Sequence, residues 1–299
     1  MEIVIFGAGS LGSLVGAALA REHDVTLVGR DDHIDAVREC GLVLEGELEA
    51  DVAPRATTDG AGLAADLAVV TVKSYDTPRA ADTLATGAFE AVLSLQNGMG
   101  NEGILADALE CPVLAGTASY GAVLRDPGVV ECTGRGEVVL GDRRGRHAAI
   151  ADRVGAAFRS AGLETTVSDG MPRRLWEKLA VNAGINAVTA LTETENGAVL
   201  DAPANDLARS ATRETARVAR AEGVVLSNRE ALAALEAVAT ETAANTSSMR
   251  QDVRAERRTE IDAINGYVLE RAAARGLEAP TNRALAALVR TWERGRGLR

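Results

Sequence analysis

Short apolar runs alternate with longer segments of helical periodicity through the first half of the chain. The apolar runs predict strands at residues 2–6, 25–28, 66–73, 91–95, 113–117 and 164–167. Apolar residues at helical spacing predict helices at 11–21 and 152–160. Strands that alternate with helices indicate βαβ units and a parallel sheet.

The pattern changes between residues 129 and 141, where the chain reads VVECTGRGEVVLG. β-Branched residues on both sides of a glycine-containing segment are typical of two strands joined by a tight turn. We therefore expect an antiparallel hairpin that turns near Gly134 and Gly136.

Helical patterns dominate from residue 171 onward. Pro172 suits the first turn of a helix, where its missing N–H costs no hydrogen bond. We predict an α/β fold in which a Rossmann-type dinucleotide-binding domain covers residues 1–168. An all-helical domain for substrate binding and dimerisation would cover residues 169–299, with residues 294–299 expected to fray.

A glycine-rich turn follows the first predicted strand and opens the first predicted helix. It has the spacing GxGxxG and consists of Gly7, Ala8, Gly9, Ser10, Leu11 and Gly12. In such turns the first glycine permits the tight turn and the second admits a pyrophosphate close to the backbone. The third allows the helix to pack closely on the strand. The free N–H groups of the helix would face the phosphates, so this segment predicts a dinucleotide site.

The end of the second strand selects between NAD and NADP in domains of this kind. An acidic residue there binds the ribose 2′-hydroxyl of NAD, whereas a nearby arginine accepts the 2′-phosphate of NADP. Arg30 follows the strand closely, which favours NADP (NADPH). Asp31 and Asp32 come next and leave NAD open, because either carboxylate could reach a ribose hydroxyl.

Charge and apolar content argue against several classes of partner. The net charge of −11 disfavours nucleic acid and anionic membrane surfaces. No apolar stretch approaches the roughly 20 residues of a transmembrane helix, and residues 2–6 are typical of a strand and not of a signal peptide. We therefore expect a cytoplasmic protein without nucleic-acid or membrane partners.

The chain has three cysteines, Cys40, Cys111 and Cys132, and they are isolated from one another. Their odd number and wide spacing argue against a disulfide framework and against a zinc site. We expect inert thiols and no bound metal ion.

The basic residues are almost all arginine. Among the 32 lysines and arginines, only Lys73 and Lys178 are lysine. Arginine does not deprotonate in proteins, whereas a buried lysine ammonium can give up its proton. Both lysines are therefore candidates for chemistry, with retention by chance as the alternative for either one.

Lys178, Asn182 and Asn186 recur at every fourth position of the helix predicted after Pro172. A step of four residues turns about 40° beyond a full turn, so the three side chains form one polar stripe. Such a stripe among apolar neighbours is costly unless polar groups meet it. A bound polar substrate would do so, and hydrogen bonds to the neighbouring domain are the alternative.

A second polar helix is predicted from residue 245 to residue 262. Ser248 and Glu260 lie twelve residues apart, which on a continuous helix places them roughly on one side. Taken alone, the segment is typical of a solvated, charged helix.

Several motifs together resemble the ketopantoate reductase family. They are GAGSLG at 7–12, VK at 72–73, QNGMG at 96–100, WEKLAVN at 176–182, SSMRQD at 247–252 and RTEID at 258–262. They follow the family's order and span nearly the whole chain, which is far more specific than GxGxxG alone. Members of this family reduce 2-dehydropantoate to (R)-pantoate with NADPH, on the route to pantothenate and coenzyme A.

The resemblance implies roles for the matching residues. Lys178 matches the catalytic lysine, which also contacts the substrate, and Glu260 matches a glutamate in the active site that also contacts the cofactor. Further substrate contacts are implied for Asn97, Asn182, Asn186, Asn196 and Ser248. Further cofactor contacts are implied for the glycine-rich turn, Lys73, Asn97 and Ala122. The two retained lysines are thus both residues that the family uses.

Two other interpretations stay open. The chain could reduce another 2-oxo acid or an imine, since the shape of the pocket decides the substrate. It could also be a non-catalytic NAD(P)-binding redox sensor, although a sensor needs no proton donor such as Lys178. The oligomeric state is also open, with a homodimer as one arrangement.

Overall fold

The computed structural model describes all 299 residues, and the chain divides into two compact units. Unit 1 consists of Met1–Gln96 and Asn101–Met171, and unit 2 consists of Asn97–Gly100 and Pro172–Arg299. The linear pattern predicts a boundary between residues 168 and 169 and does not indicate that residues 97–100 belong with the helices. No helix combines the length and the apolar character that crossing a membrane requires.

Unit 1 contains twelve strands and five α-helices. The strands are β1 (Glu2–Phe6), β2 (Asp24–Val28), β3 (Leu42–Gly46), β4 (Ala50–Val52), β5 (Arg55–Thr57), β6 (Ala64–Val70), β7 (Ala88–Ser94), β8 (Val113–Ala118), β9 (Gly121–Asp126), β10 (Val129–Gly134), β11 (Val138–Asp142) and β12 (Thr165–Val167). The helices are α1 (Ser10–Leu19), α2 (Asp31–Cys40), α3 (Thr77–Leu84), α4 (Asn101–Ala108) and α5 (Ala149–Ser160).

Eight of the strands form one sheet in the order β12-β11-β8-β7-β6-β1-β2-β5. All neighbours run parallel except β8 and β11, which pair antiparallel. Six of these strands, β5-β2-β1-β6-β7-β8 in sheet order, have the Rossmann arrangement. Ile3 and Ile5 of β1 are at most 1% exposed, and Val4 is 3% exposed, because both faces of the sheet are covered. The predicted α/β fold with a parallel sheet is confirmed.

The hairpin predicted at residues 129–141 is wrong. β10 lies in a second sheet of order β4-β3-β10-β9, where it pairs antiparallel with β9 and parallel with β3. β11 instead pairs with β8 and β12 in the large sheet. A glycine-containing segment between two strands gives the same local pattern in a hairpin and in a crossing between sheets. Distant partners, which the local pattern does not contain, decide between the two.

Unit 2 is built from helices, which confirms the predicted all-helical second domain. They are α6 (Met171–Thr192, of which Met171 belongs to unit 1), α7 (Ala204–Ala221), α8 (Asn228–Glu241), α9 (Ser248–Arg254), α10 (Tyr267–Ala274) and α11 (Pro280–Gly295). A 3₁₀ turn covers Asn196–Leu200, and a π-helical turn covers Asp262–Gly266. Ala180, Ala183 and Ala187 of α6 are 0% exposed, because other helices of unit 2 surround this helix.

The continuous helix predicted over residues 245–262 is also wrong. α9 ends at Arg254, and Glu256 adopts a left-handed φ of 47°. The backbone N–H of Arg257 then donates to the carbonyl oxygen of Asp252 at 2.8 Å, which turns the chain away from the helix axis. The local sequence is rich in good helix formers, so propensity alone predicts that the helix continues. Glu260 therefore lies outside α9, just before the π-helical turn.

Candidate active site

The glycine-rich turn lies at the carboxyl end of β1 and opens α1. The backbone N–H groups of Gly7 and Ala8 both donate to the carbonyl oxygen of Val28 in β2, at 2.9 and 2.8 Å. Gly7 has a φ of 117°, a conformation that side chains rarely allow. The turn is thus held against the neighbouring strand by its own backbone.

The N-terminus of α1 fits the pyrophosphate of a dinucleotide. No side chain caps this helix, and its first turn has no acidic residue. A Cβ added to Gly9 would meet no heavy atom within 4 Å, so the backbone faces open space at this position. Uncapped N–H groups and the positive end of the helix dipole attract anions, and a phosphate could approach them closely here.

Arg30, Lys73 and Ala122 surround this turn within unit 1. Arg30 is exposed at the start of α2, after β2, and Lys73 is half-buried after the end of β6. β2 and β6 flank β1 in the sheet, so both residues lie at the same carboxyl edge. Ala122 is on β9, and the backbone N–H of Leu124 donates to Ser10 Oγ at 3.1 Å. The structure therefore brings the predicted cofactor residues of unit 1 together.

His33 ties three elements together beside this edge and was missed by sequence reasoning. It is 5% exposed on α2, and its Nδ1 accepts the backbone N–H of Gly128 at 3.0 Å. Its Nε2 therefore carries the proton and donates to Ser13 Oγ of α1 at 2.9 Å. Burial lowers the pKa of His33, so the ring stays neutral. An isolated histidine in a helix gives no sequence signal for such a role.

Acid is expected to destabilise the protein through His33. The unfolded chain protonates this ring near its ordinary pKa of 6.5, whereas the folded chain does so only at lower pH. Between these values the unfolded state binds more protons, so the free energy of unfolding falls as the pH falls below 6.5. The melting temperature measured between pH 7 and about 5, above the range of ordinary carboxyl groups, should show this slope.

A His33→Gln variant should lose that slope even if it is less stable at neutral pH. His147 provides the matched control, because its side chain is 69% exposed. A His147→Gln variant should keep the wild-type dependence. An unchanged slope in His33→Gln would show that this ring does not control acid stability.

The polar stripe of α6 is present in unit 2. Lys178 and Asn182 are half-buried, and Asn186 is 5% exposed. One turn beyond Asn186, Thr189 Oγ1 makes a 2.8 Å hydrogen bond with Ser247 Oγ, the N-cap of α9. This bond joins the start of α9, where Ser248 lies, to the same end of the stripe.

Asn196 has a buried acceptor that no group of the protein satisfies. Its side chain Nδ2 donates to Thr242 Oγ1 at 3.0 Å, and its backbone N–H donates to the carbonyl oxygen of Asn245 at the same distance. The residue is 8% exposed, and its Oδ1 has no hydrogen-bond partner. A buried acceptor without a donor is costly. A ligand with a hydroxyl group would supply the missing donor.

The segments that carry Asn97 and Glu260 are both bonded to the π-helical turn. Next to Asn97, the backbone N–H of Met99 donates to the carbonyl oxygen of Ala263 at 3.0 Å. Glu260 is 5% exposed, and its own carbonyl oxygen accepts the N–H of Ala263 at 3.1 Å. In the same turn Asn265 Nδ2 donates to the carbonyl oxygen of Ala183 in α6 at 3.1 Å. These bonds attach both candidate residues to the helix that carries Lys178.

The sequence profiles of one family match both parts of the chain. The profile described as "Ketopantoate reductase PanE/ApbA" matches residues 3–145. The profile described as "Ketopantoate reductase PanE/ApbA C terminal" matches residues 171–293. Together the two profiles cover most of the chain.

Similar proteins match over almost the full length. The 2-dehydropantoate 2-reductase of Halobacterium salinarum is 45% identical, with 98% of this chain and 99% of the relative aligned. That of Pyrococcus horikoshii is 39% identical, with 98% of each chain aligned.

Two solved structures have the same fold along their whole length. A ketopantoate reductase of the PanE/ApbA family from Ralstonia eutropha has a TM-score of 0.91 at 35% identity, covering 99% of this chain and 100% of its own. D-mandelate dehydrogenase, solved with NADH and anilino(oxo)acetate, has a TM-score of 0.93 at 25% identity, covering 100% of both chains.

Proposed function

The chain belongs to the ketopantoate reductase family, and we propose that it reduces 2-dehydropantoate to (R)-pantoate with NADPH, Lys178 being the proton donor. It is an NAD(P)H-dependent oxidoreductase that acts on a small molecule. The observation that supports the assignment of residues is the polar stripe on α6, with Lys178 at one end and Asn186 at the other, one turn before the bond from Thr189 to Ser247 at the start of α9. A redox sensor would need only a nucleotide site and none of these polar groups.

In this proposal unit 1 binds the cofactor through its glycine-rich turn. The N-terminus of α1 holds the pyrophosphate, and Lys73 and Ala122 contact the nucleotide at the same edge of the sheet. Bound NADPH supplies the hydride that reduces the ketone carbon. The protein's own contribution is to position that cofactor and to exclude other orientations.

Lys178 is the proposed general acid. Negative charge develops on the carbonyl oxygen as the ketone is reduced, and an ammonium group stabilises that charge. Lys178 Nζ would donate a hydrogen bond to this oxygen and then transfer its proton to it. Glu260 would stabilise the ammonium group of Lys178 before the transfer, because opposite charges attract.

The remaining polar groups of unit 2 would orient the substrate. Asn182 and Asn186 present amides along the stripe, and Ser248 presents a hydroxyl at the start of α9. The buried Oδ1 of Asn196 would accept a hydrogen bond from a hydroxyl of the substrate, which 2-dehydropantoate has. Asn97 would contact both substrate and cofactor. Neutral groups suit this task because they bind polar substituents without adding charge around Lys178.

Absorbance of the reduced nicotinamide, followed with purified protein and 2-dehydropantoate, tests the proposal. Rapid oxidation of NADPH with stoichiometric formation of pantoate is the expected result. Phenylglyoxylate and other 2-oxo acids form the comparison arm, because D-mandelate dehydrogenase shares this fold. Faster reduction of one of them would assign that substrate instead, and cofactor binding without any turnover would favour the sensor.

The choice of NADPH over NADH rests on Arg30. Its side chain is exposed at the edge where β2 ends, and the guanidinium suits bidentate binding of a phosphate. Asp31 and Asp32 are exposed in the first turn of α2, where the helix dipole stabilises their negative charge. We propose that Arg30 binds the 2′-phosphate.

Replacing Arg30 with alanine is expected to raise the KM for NADPH roughly tenfold or more, which is the usual contribution of a hydrogen bond to a charged group. The KM for NADH should change little, because NADH has no 2′-phosphate. Arg38→Ala is the matched control, since Arg38 is exposed on the same helix and pairs with Asp35 at 3.0 Å. Equal losses for both cofactors in Arg30→Ala would contradict a phosphate contact.

A further inference from the structure

Glu260 lies on a segment that no regular helix holds in place. α9 ends at Arg254, the chain reverses near Glu256, and the π-helical turn begins only at Asp262. Thr259 directly precedes Glu260 and Asp262 follows two residues after it, so bonds made by these two residues help to hold the segment in place.

Glu293 of α11 holds Thr259. It is 0% exposed, and its Oε1 accepts both the backbone N–H of Thr259 at 2.8 Å and the Thr259 hydroxyl at 2.7 Å. Its Oε2 accepts a hydrogen bond from Arg299 Nε, also at 2.8 Å. A buried carboxylate is tolerated when its charge is paired and its oxygens are hydrogen-bonded, and both conditions hold here.

Arginines hold Asp262 on the other side of Glu260. Arg290 Nε donates to its Oδ1 at 2.9 Å, Arg299 Nη2 donates to its Oδ2, and Arg258 lies 3.6 Å from the same carboxylate. Burial acts to raise the pKa of Asp262, but the hydrogen bonds from Arg299 and Arg290 outweigh it and hold the pKa below its ordinary value. Asp262 therefore keeps the negative charge that this pairing requires.

Arg299 bonds to both Glu293 and Asp262. Residues 294–299 were expected to fray, and the structure corrects this, because the Arg299 side chain reaches back to both carboxylates and is only 24% exposed. We call Glu293 and Arg299 the Arg299 clamp. Through Thr259 and Asp262 it fixes the backbone on both sides of Glu260.

We propose that Glu293 and Arg299 are positioning residues for Glu260, so that this clamp sets the rate of the reductase without touching substrate or cofactor. The inference rests on the proposed function for the role of Glu260. Small displacements of a catalytic group lower the rate strongly, so loss of the clamp should lower kcat.

Arg299→Ala is the first test, because it removes the bonds to both carboxylates while Glu293 stays bonded to Thr259. We expect kcat for 2-dehydropantoate to fall about tenfold, with the number of NADPH sites per chain unchanged. Arg299→Lys should restore part of the rate, since a lysine can pair with one of the two carboxylates. Arg294→Ala is the matched control: Arg294 is exposed nearby, and no side-chain bond joins it to Glu293 or Asp262.

A double-mutant cycle separates positioning from a general loss of structure. If the clamp acts through Glu260, Arg299→Ala should have little further effect on kcat once Glu260→Gln is present. Additive effects of the two substitutions would overturn the inference, as would a normal kcat in Arg299→Ala.

Amide hydrogen exchange decides the same question without an activity assay. Arg299→Ala should speed exchange in a peptide covering residues 256–266, whereas Arg294→Ala should not. If the wild type does not reduce 2-dehydropantoate but Arg299→Ala still speeds exchange, the proposed substrate is rejected and the clamp is supported. Unchanged exchange in Arg299→Ala would reject the clamp, whatever the substrate is.

Discussion

Replacing Lys178 with alanine is expected to lower kcat/KM for 2-dehydropantoate by about 10²–10⁴-fold, the range that one general acid contributes. The variant loses both the charge that stabilises the developing alkoxide and the proton that neutralises it. Its affinity for NADPH should stay close to that of the wild type, because the glycine-rich turn and Arg30 belong to unit 1. Steady-state rates and cofactor binding by fluorescence, measured on the same preparation, check both statements.

Lys178→Arg distinguishes proton donation from charge alone. Arginine keeps the positive charge but does not deprotonate, so this variant should remain nearly as slow as Lys178→Ala. Arg174→Ala is the control within the same helix, because Arg174 is an exposed cation on α6, one turn before Lys178, and has no proposed contact with the substrate. Substantial activity in Lys178→Arg would mean that the residue stabilises charge and that another group supplies the proton.

The stripe could be predicted from the sequence because its signal is local. Lys178, Asn182 and Asn186 are polar positions on a helix that is otherwise apolar over this stretch, and helical spacing alone places them on one face. The glycine-rich turn is local in the same way, since a strand, a turn and a helix follow one another directly. The fold class follows from the same kind of evidence, a repeated alternation of strands and helices.

Features that depend on distant partners could not be predicted in this way. Residues 129–141 have a hairpin pattern, but β10 and β11 join different sheets. β10 pairs with β3 and β9, whereas β11 pairs with β8. Residues 97–100 follow a strand of unit 1, yet they dock on Ala263 of unit 2. The local sequence around these residues does not indicate either of these partners.

The surroundings of Glu260 show the same limit at a functional position. Helix propensity predicts one helix from α9 through Asp262, whereas a hydrogen bond to Asp252 ends it and Glu293 captures Thr259. Glu293 and Arg299 lie more than thirty residues further along the chain and resemble ordinary charged residues of an exposed helix end. Only the three-dimensional structure shows that they hold the segment.

Alanine substitutions at two glycines of the turn are expected to have different effects: Gly12→Ala should lower stability, and Gly9→Ala should weaken nucleotide binding. A Cβ at Gly12 would lie 2.6 Å from Thr71 Oγ1 and closer still to the carbonyl oxygen of Gly7. These two atoms are themselves joined by a 2.8 Å hydrogen bond, so neither can move freely. Gly12→Ala should therefore cost about 1–3 kcal/mol of stability, as overpacking usually does. The melting temperature of the cofactor-free protein should fall by about 2–4 °C for each kcal/mol.

Gly9→Ala should have the opposite profile, because this residue has an ordinary φ of −91° and open space where the methyl group would stand. The cofactor-free protein should melt at the wild-type temperature. The methyl group would, however, occupy the place where a pyrophosphate approaches α1, so the Kd for NADPH should rise at least about tenfold. If Gly9→Ala instead binds NADPH normally, the pyrophosphate does not lie on this turn. In that case the glycines of this turn would serve only the close packing of α1 on the sheet, which Gly12→Ala tests.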